Sequence, residues 1–353
     1  MPYPNELAPL TVTQGAMRFN TDSMKLEYYR GGPVGFGTTT QTGEWVNITT
    51  DSPDIQTGGA RGVFGGGISA DNTNVIQYIT ISSTGNAIDF GDLTVARRGI
   101  AACSSSTRGI FVGGTDWGGP YNTIDYITIS STGDAQDFGD LISAIRQKTA
   151  LSSSTRGVFA GGYTPTPATT FINVLEYITS ASTGDAKDFG DLSGVRGAPF
   201  SCSSSTRGVF AGGRTPTKIN VIEFITISTL GNASDFGDLS GAKSDASSCS
   251  SSTRGLFGGG YAPGDVNNTI EFITIATIGN STDFGDLSVG KYYLAACSSS
   301  TRGVFGGGEV SPTYTNVIEF ITILTTGNVI DFGDLLANTE QLSACSNGHG
   351  GLG

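Results

Sequence analysis

A motif that recurs six times along the chain constrains its fold more than any other feature of the sequence. The motif is Arg-Gly-apolar-Phe, followed within a few residues by a double glycine. Successive copies lie 47 to 51 residues apart. A repeat of this length is typical of solenoids and propellers, in which each unit buries its core only against its neighbours. The six copies begin at Arg61, Arg108, Arg156, Arg207, Arg254 and Arg302.

Each repeat is predicted to contain four short strands. Its apolar segments are rich in Val, Ile, Phe, Tyr and Thr and are bounded by Gly, Ser, Asn and Asp. In the fourth copy the predicted strands are 201–204, 208–211, 221–228 and 233–239. The third strand is apolar on both faces, so we expect each sheet to be covered by neighbouring sheets. Four antiparallel strands with a double glycine after the second are typical of a propeller blade.

The two ends of the repeat region are predicted to share one blade. Five residues before each repeat arginine stands a small or apolar residue, except before Arg61, where Gln56 occupies the position. Cys345 lies in a C-terminal segment that supplies the missing first strand. The sequence therefore predicts an all-β fold of about 48 residues per blade. The predicted six-bladed β-propeller covers residues 51–353, and the C-terminal strand closes it in blade one. A small N-terminal β module is predicted for residues 1–50.

Length variation within the repeat is confined to the connection between strands two and three. The interval from the repeat arginine to the asparagine before strand three ranges from 13 to 17 residues. In an antiparallel blade, the connection between strands two and three and the connection to the next blade emerge on the same face of the propeller. That face is therefore predicted to vary between blades, and the opposite face is predicted to be uniform. Aromatic and basic side chains on polar loops are typical of carbohydrate or protein recognition. The alternative is that these loops vary because nothing constrains them. The residues predicted to bind a ligand on the variable face are Trp117, Tyr121, Tyr163, Phe171, Tyr261, Tyr314, Arg98, Arg146, Arg196, Lys243 and Tyr292, with Lys148 and Tyr293 beside them.

Residues that occur in every repeat are predicted to be structural, because a single active site does not need six copies. We expect the aspartates of Asp-Phe-Gly-Asp to cap turns or to pair with blade arginines such as Arg207. The cysteine position is occupied by Leu151 in one blade, so the five cysteines are predicted to be buried free thiols. Calcium at the repeated carboxylates is only weakly indicated, because their spacing matches no known calcium loop.

The composition argues against several classes of function. The chain carries 31 acidic and 19 basic residues, and its net charge of −12 repels nucleic acids and anionic membranes. The one histidine, His349, lies close to the C-terminus, which argues against histidine metal sites and Ser-His-Asp triads. The N-terminus lacks the features of a signal peptide, and no apolar run is long enough to cross a membrane. We expect a protein that is not an enzyme, uses no metal or cofactor, and contacts neither nucleic acid nor the interior of a membrane.

The repeat also resembles that of kelch-type β-propellers. Kelch blades carry a double glycine after strand two, an aromatic residue in strand three and then Trp-x-x-Leu. Here the aromatic residue is Tyr78 in the first copy and Phe224 in the fourth, and Phe-Gly-Asp-Leu replaces Trp-x-x-Leu. The segments Ser-Ser-Ser-Thr-Arg-Gly-Val-Phe-Gly-Gly-Gly, Thr-Gly-Asn-Ala and Ser-Asn-Gly-His-Gly-Gly-Leu resemble repeat proteins of tailed bacteriophages, especially cyanobacterial phages. That resemblance covers residues 55–353.

The first fifty residues carry a second resemblance. Residues 15–29, followed by Glu44-Trp45, are similar to a short β-hairpin module of phage tail-fibre and other virion proteins. Two strands joined by an Asn-Thr-Asp-Ser turn are predicted, and such a hairpin needs a partner surface. We expect it to dock on the propeller, on copies of itself or on another virion protein. The residues assigned to this attachment module are Arg18, Phe19, Leu26, Tyr28 and Trp45.

The two resemblances together imply a structural protein of a phage particle. Such a tail fibre, spike or other surface component would be assembled in the host cytoplasm and would be a homo-oligomer in the virion. It would contact other virion proteins through the N-terminal module and present the propeller to a host-surface glycan or protein. The alternative is a free-standing lectin-like or protein-interaction propeller that belongs to no particle.

Overall fold

The chain divides into two compact units, residues 1–57 and residues 58–353. The computed structural model describes residues 17–20, 25–31, 43–47, 60–164 and 169–352. The first unit contains a three-stranded antiparallel sheet formed by β1 (Met17–Asn20), β2 (Lys25–Gly31) and β3 (Gly43–Asn47). The sequence predicted only two strands there, and the third includes Glu44-Trp45 and pairs with β2. The predicted turn after Asn20 falls on residues 21–24, which lie outside the described residues.

The second unit is a six-bladed β-propeller, as predicted from the repeats. Each blade is a four-stranded antiparallel sheet, and the first strands of neighbouring blades contact one another all round the ring. The first strands of blades 1 to 6 are β35 (Ser343–Ser346), β7 (Ala101–Ser104), β11 (Thr149–Ser152), β17 (Phe200–Ser203), β23 (Ser247–Ser250) and β29 (Ala295–Ser298). The second strands are β4 (Arg61–Gly65), β8 (Arg108–Val112), β12 (Arg156–Ala160), β18 (Arg207–Ala211), β24 (Arg254–Gly258) and β30 (Arg302–Gly306).

The outer half of each blade follows the same pattern, with the fourth strand at the rim. The third strands are β5 (Val75–Thr80), β9 (Thr123–Thr128), β15 (Val174–Thr179), β21 (Val221–Thr226), β27 (Thr269–Thr274) and β33 (Val317–Thr322). The fourth strands are β6 (Ile88–Asp92), β10 (Gln136–Asp140), β16 (Lys187–Asp191), β22 (Ser234–Asp238), β28 (Thr282–Asp286) and β34 (Ile330–Asp334). In the fourth blade these bounds differ from the predicted ones by one or two residues. A turn in which Thr229 N–H donates to the Thr226 carbonyl accounts for the earlier end of β21.

The ring is closed by the C-terminal strand, which confirms the prediction from the repeat phase. β35 pairs antiparallel with β4, and Cys345 lies opposite Val63. Blade 1 is therefore built from both ends of the repeat region. Closure pairs a strand edge that would otherwise be open to association with other chains.

The hydrophobic core consists of six clusters, one between each pair of neighbouring blades. Strand β21 and Ile227, the residue that follows it, contribute to two of them. Ile222 packs towards blade 5, whereas Ile225 and Ile227 pack towards blade 3. The prediction that both faces of the third strand are covered is confirmed. A single blade buries neither face by itself, so stability belongs to the closed ring.

A ring of serine hydroxyls joins the six innermost strands. Each serine that ends a first strand donates its hydroxyl hydrogen to the main-chain carbonyl of the matching serine in the preceding blade. Ser152, for example, donates to the Ser104 carbonyl at 2.7 Å. Since every blade both donates and accepts, the ring closes without an unpaired member. The six donors are Ser104, Ser152, Ser203, Ser250, Ser298 and Ser346.

The repeat arginines link each blade to the next one through main-chain carbonyl groups. The Arg207 guanidinium lies 4.3 Å from the centre of the Phe224 ring in its own blade. Its Nη1 donates to the Ile275 carbonyl of blade 5 at 2.9 Å. The predicted pairing of Arg207 with an aspartate is therefore wrong, and Asp235 is exposed. The other five arginines donate to main-chain carbonyls in the same way.

The cysteines are free and buried, as predicted. Each thiol faces the glycine of the Arg-Gly pair in the following blade, as Cys249 does with Gly303. A Cβ on that glycine would lie 2.6 Å from the Cys249 Sγ atom, so both positions must stay small. Burial raises the pKa of Cys249 to about 12, which keeps the thiol protonated and unreactive.

Candidate functional site

The connections between strands two and three and the connections between blades are joined by main-chain hydrogen bonds, which confirms that they share one face. We call this set of connections the variable face. In blades 3 to 6 the connection between strands two and three forms a small hairpin. The hairpins are β13–β14 (Tyr163–Thr164, Thr170–Phe171), β19–β20 (Arg214–Thr215, Thr217–Lys218), β25–β26 (Tyr261–Ala262, Asp265–Val266) and β31–β32 (Glu309–Val310, Thr313–Tyr314). Each hairpin pairs with the chain entering its blade, at Arg146–Tyr163, Gly197–Arg214, Ser244–Tyr261 and Tyr292–Glu309.

Trp117 is the most exposed of the predicted aromatic residues, with 71% of its surface accessible. Its position is nevertheless fixed from two sides. The indole N–H donates to the Asp71 carboxylate at 2.8 Å, and the Arg98 guanidinium lies 4.0 Å from the ring centre. Arg98 in turn donates to the Asn72 side chain at 2.7 Å. The hydrogen bond from Trp117 lowers the pKa of Asp71, so the carboxylate stays charged. The result is an ordered indole with an open surface.

Tyr163 lies beneath the surface, between two cations. It is 6% exposed and contacts the Phe171 ring, with 5.4 Å between ring centres. The Arg146 and Arg214 guanidinium groups lie 4.7 and 5.5 Å from its ring centre. Tyr163 and Phe171 were predicted as direct contact residues. Tyr163 instead supports the two cations, and its substitution would disturb packing.

Three tyrosines and a lysine form a continuous cluster on the hairpins of blades 4 and 5 and the connection into blade 6. The Lys218 ammonium lies 3.6 Å from the centre of the Tyr261 ring. The rings of Tyr261 and Tyr292 are 5.4 Å apart, and those of Tyr292 and Tyr293 are 4.8 Å apart. Tyr261 is 38% exposed, so this cluster presents a second aromatic surface. Lys218 was not recognised from the sequence.

Tyr121 has a local structural role. Its hydroxyl donates to the Asp116 carboxylate at 2.7 Å. The same carboxylate accepts hydrogen bonds from the N–H groups of Gly118 and Gly119. These bonds lower the pKa of Asp116, with Tyr121 the largest cause. Tyr121 therefore fixes the loop that carries Trp117.

Arg196 and Lys243 were predicted to bind a ligand on the variable face, but both side chains are buried, which corrects that prediction. They are 2% and 1% exposed. Arg196 forms an ion pair with Glu223 of strand β21, and Lys243 lies 3.9 Å from Glu271 of the following blade. Burial lowers the pKa of Lys243, and the nearby carboxylate opposes that shift. The corresponding pairs elsewhere are Arg97–Asp125, Lys148–Glu176 and Lys291–Glu319.

The joint between blades 6 and 1 lacks this ion pair. Gln77 occupies the position of the strand-three acid, and its side-chain oxygen accepts a hydrogen bond from Leu336 N–H at 2.8 Å. In the same connection between blades, Glu340 is 5% exposed and lies within electrostatic range of the Glu309 carboxyl group. Burial raises the pKa of Glu340 to about 7, and the neighbouring Glu309 carboxyl group adds to the shift. Tyr314 is near enough to both carboxyl groups that burial, Glu340 and Glu309 raise the pKa of its hydroxyl group.

The central channel is closed at the uniform face by the C-terminal segment. A 3-10 turn at Gly350–Leu352 contacts β11, β17 and β23. His349 Nδ1 accepts a hydrogen bond from Gly351 N–H at 3.0 Å, and Nε2 lies 3.0 Å from the Ser104 carbonyl. Since a carbonyl only accepts, the ring is neutral with its proton on Nε2. Burial lowers the pKa of His349, consistent with that state.

The chain was compared with known families and curated proteins. No family model matches it, and no curated protein is found to be similar. In the part of the chain that the structure describes, no group of three or more His, Cys, Asp or Glu side chains is placed to hold a metal ion. No helix within the described ranges is long and apolar enough to span a membrane. The assignment of function therefore depends on the geometry of the variable face.

Proposed function

We propose that the chain is a recognition protein whose propeller binds a glycan or protein of a bacterial surface through the variable face, as a structural component of a phage particle. The repeated contacts of the ring make a rigid support. The aromatic and cationic residues that differ between blades are gathered on one face of it. A rigid support with varied loops is a common arrangement for binding sites. Ligand binding by the variable face requires no catalytic group.

The proposal depends most on one observation, that the Trp117 side chain is exposed to solvent and yet held in a fixed position. Leaving a large aromatic side chain exposed forgoes the free energy of burial, and fixing it costs side-chain entropy. Here the indole is both exposed and held by Asp71 and Arg98. Such an aromatic surface binds a partner with little further ordering, which favours affinity.

The binding part of the proposal is tested by replacing the exposed aromatic residues. We expect Trp117→Ala and Tyr261→Ala each to weaken adsorption to bacterial cells and binding to immobilised bacterial polysaccharides by roughly tenfold or more. Leu230→Ala is the matched control, because Leu230 is 53% exposed in the opposite, uniform face. Unchanged binding by both aromatic variants would contradict a recognition role for the variable face.

The virion part of the proposal is supported by the resemblance to phage repeat proteins and by the first unit. Phe19 and Leu26 are paired between β1 and β2, and Tyr29 pairs with Trp45 between β2 and β3. Arg18 and Tyr28 lie in the same two strands, β1 and β2. A sheet of three short strands has too little surface to form its own core, so we infer that it binds another virion protein or further copies of the chain.

Mass spectrometry of purified phage particles, with cryo-electron microscopy of the same sample, tests the virion role. We expect the chain in the particle, joined to it through residues 1–50, with the variable face outward. Absence from particles would contradict this role. Glycan binding by the isolated chain would then favour the free-standing lectin-like propeller.

A further inference from the structure

Six residues form a closed ring of main-chain hydrogen bonds around the propeller axis on the variable face. Each N–H group donates to the carbonyl of the preceding member, at 2.9 to 3.2 Å. All six have φ between 51° and 60°. We call this set the axial ring, and its members are Gly99, Gln147, Ala198, Asp245, Tyr293 and Gln341.

The backbone conformation of the axial ring does not explain why its members carry large side chains. A residue in the left-handed region is best supplied by glycine, and Asn or Asp is tolerated. The ring nevertheless has tyrosine at one position and glutamine at two others. Backbone strain of this kind is often kept where side chains are needed for binding. The variety of the six side chains also contrasts with the repetition of the serine ring at the other end of the first strands.

Asp245 is the member that most clearly lacks a partner. It is 7% exposed, and its Oδ2 atom accepts from the Ser244 hydroxyl at 2.7 Å and from Arg214 at 3.4 Å. Its Oδ1 atom is buried, and no described residue donates a hydrogen bond to it. Buried acceptors are rarely left unpaired in folded proteins. Asp245 borders a cavity of about 80 Å³, enough for several water molecules or one edge of a small ligand.

The charges around this cavity select the type of ligand. Arg214 balances the Asp245 carboxylate and also donates to Gln147 Oε1 at 2.9 Å. A cation is therefore not required, and an anion would be repelled by the unpaired oxygen. The missing interaction is a hydrogen bond donated by a neutral group. Tyr293 adds a ring, and the rings of Tyr292 and Tyr261, which are tilted against one another, extend the aromatic surface from it.

We propose that the axial ring binds one neutral sugar residue, with a hydroxyl group donating to Asp245 and the apolar face of the sugar on Tyr293. This inference rests on the proposed function, because it names the part of a glycan that the variable face would recognise. Further residues of the glycan would lie along Tyr292 and Tyr261. A site built to pair with a hydroxyl discriminates strongly against an analogue that lacks it.

The test is calorimetric titration of the full chain with the methyl glycosides of glucose, galactose and mannose, their deoxy analogues, and the charged sugars glucuronic acid and glucosamine. We expect at least one neutral glycoside to bind, and Asp245→Asn to weaken its binding by roughly 10- to 100-fold, because the charged acceptor is lost. Tyr293→Asn is the second variant. Asparagine suits the left-handed backbone better than tyrosine does, so this variant should be folded and still fail to bind.

Three results would overturn the inference. They are binding that persists in both variants, preference for an anionic or ammonium-bearing sugar, and failure of every glycoside to bind the native chain. If glycosides fail while polysaccharide binding still depends on Trp117, only the axial site is wrong. If polysaccharide binding is independent of Trp117 and Tyr261 as well, the proposed function is also wrong.

Discussion

At the residue scale, the most informative side chains are the buried cations that follow the fourth strand. The sequence could not distinguish them from surface cations, because a Lys or Arg in a polar connection is usually exposed. The signal that could have found them is the acidic residue in the middle of the apolar third strand of five blades, such as Glu223. A carboxylate placed among Ile and Phe needs a buried partner. Blade 3 obscures the pattern further, since Ile145 occupies the expected place and Lys148 supplies the charge.

Removing one member of a buried ion pair should be costly. Glu223→Ala leaves the Arg196 guanidinium buried and unpaired, so we expect the free energy of unfolding to fall by about 3 to 5 kcal/mol. Urea denaturation measures the change. The control is Asp235→Ala, at an exposed carboxylate of the neighbouring strand, which should change stability by less than about 0.5 kcal/mol. Equal effects of the two substitutions would contradict the assigned roles.

The buried carboxyl group of Glu340, between blades 6 and 1, predicts that the stability of the folded chain depends on pH. Because the pKa of Glu340 is raised to about 7 in the folded chain, its stabilising contribution is complete below about 4.5 and is lost as the pH rises through 7. Glu340→Gln mimics the protonated form. We expect it to match the native chain at pH 4 and to exceed its stability by about 3 kcal/mol at pH 8.

The comparison is made by thermal denaturation across that pH range. Asp331→Asn is the control, because Asp331 is exposed in strand β34. A difference between Glu340→Gln and the native chain that does not change with pH would contradict the raised pKa of Glu340.

At the scale of the elements, the strands and their order were predictable because the repeats could be compared with one another. Six copies of a turn or an apolar segment average out the ambiguity of any one of them. The hairpins of the variable face were not predictable, since each occurs once and has only two residues in each strand. The role of the Asp-Phe-Gly-Asp glycine was also missed. In blade 4 it is Gly237, whose backbone approaches the turn around Gly279 in blade 5.

Two glycines with almost the same backbone conformation give a matched test of that approach. Gly237 has φ of 148° and Gly279 has φ of 154°. A Cβ on Gly237 would clash with the Gly279 carbonyl oxygen, whereas a Cβ on Gly279 would meet no atom within 4 Å. Both alanine variants share the conformational strain of a positive φ. We therefore expect Gly237→Ala to be less stable than Gly279→Ala by roughly 1 to 3 kcal/mol, the usual cost of overpacking. Equal melting temperatures would contradict the close contact between blades.

At the scale of the whole molecule, stability should depend on ring closure. Deleting residues 342–353 removes β35, leaves blade 1 with three strands and opens the serine ring. We expect a loss of at least several kcal/mol and aggregation through the exposed edge of β4. Deleting only residues 347–353 removes the C-terminal turn and keeps β35, so its effect should be much smaller. Calorimetric unfolding of the two truncated chains measures the difference, and comparable losses would contradict closure by β35.

In the function proposed for this protein, one face of the rigid ring recognises a bacterial surface. The most direct test is hydrogen–deuterium exchange of the full chain, free and bound to bacterial envelopes. We predict protection in the variable face, centred on the loop around Trp117, the hairpins of blades 3 to 6 and the axial ring. The uniform turns, such as the one around Leu230, should exchange unchanged. Protection of the uniform face, or no protection at all, would contradict the claim.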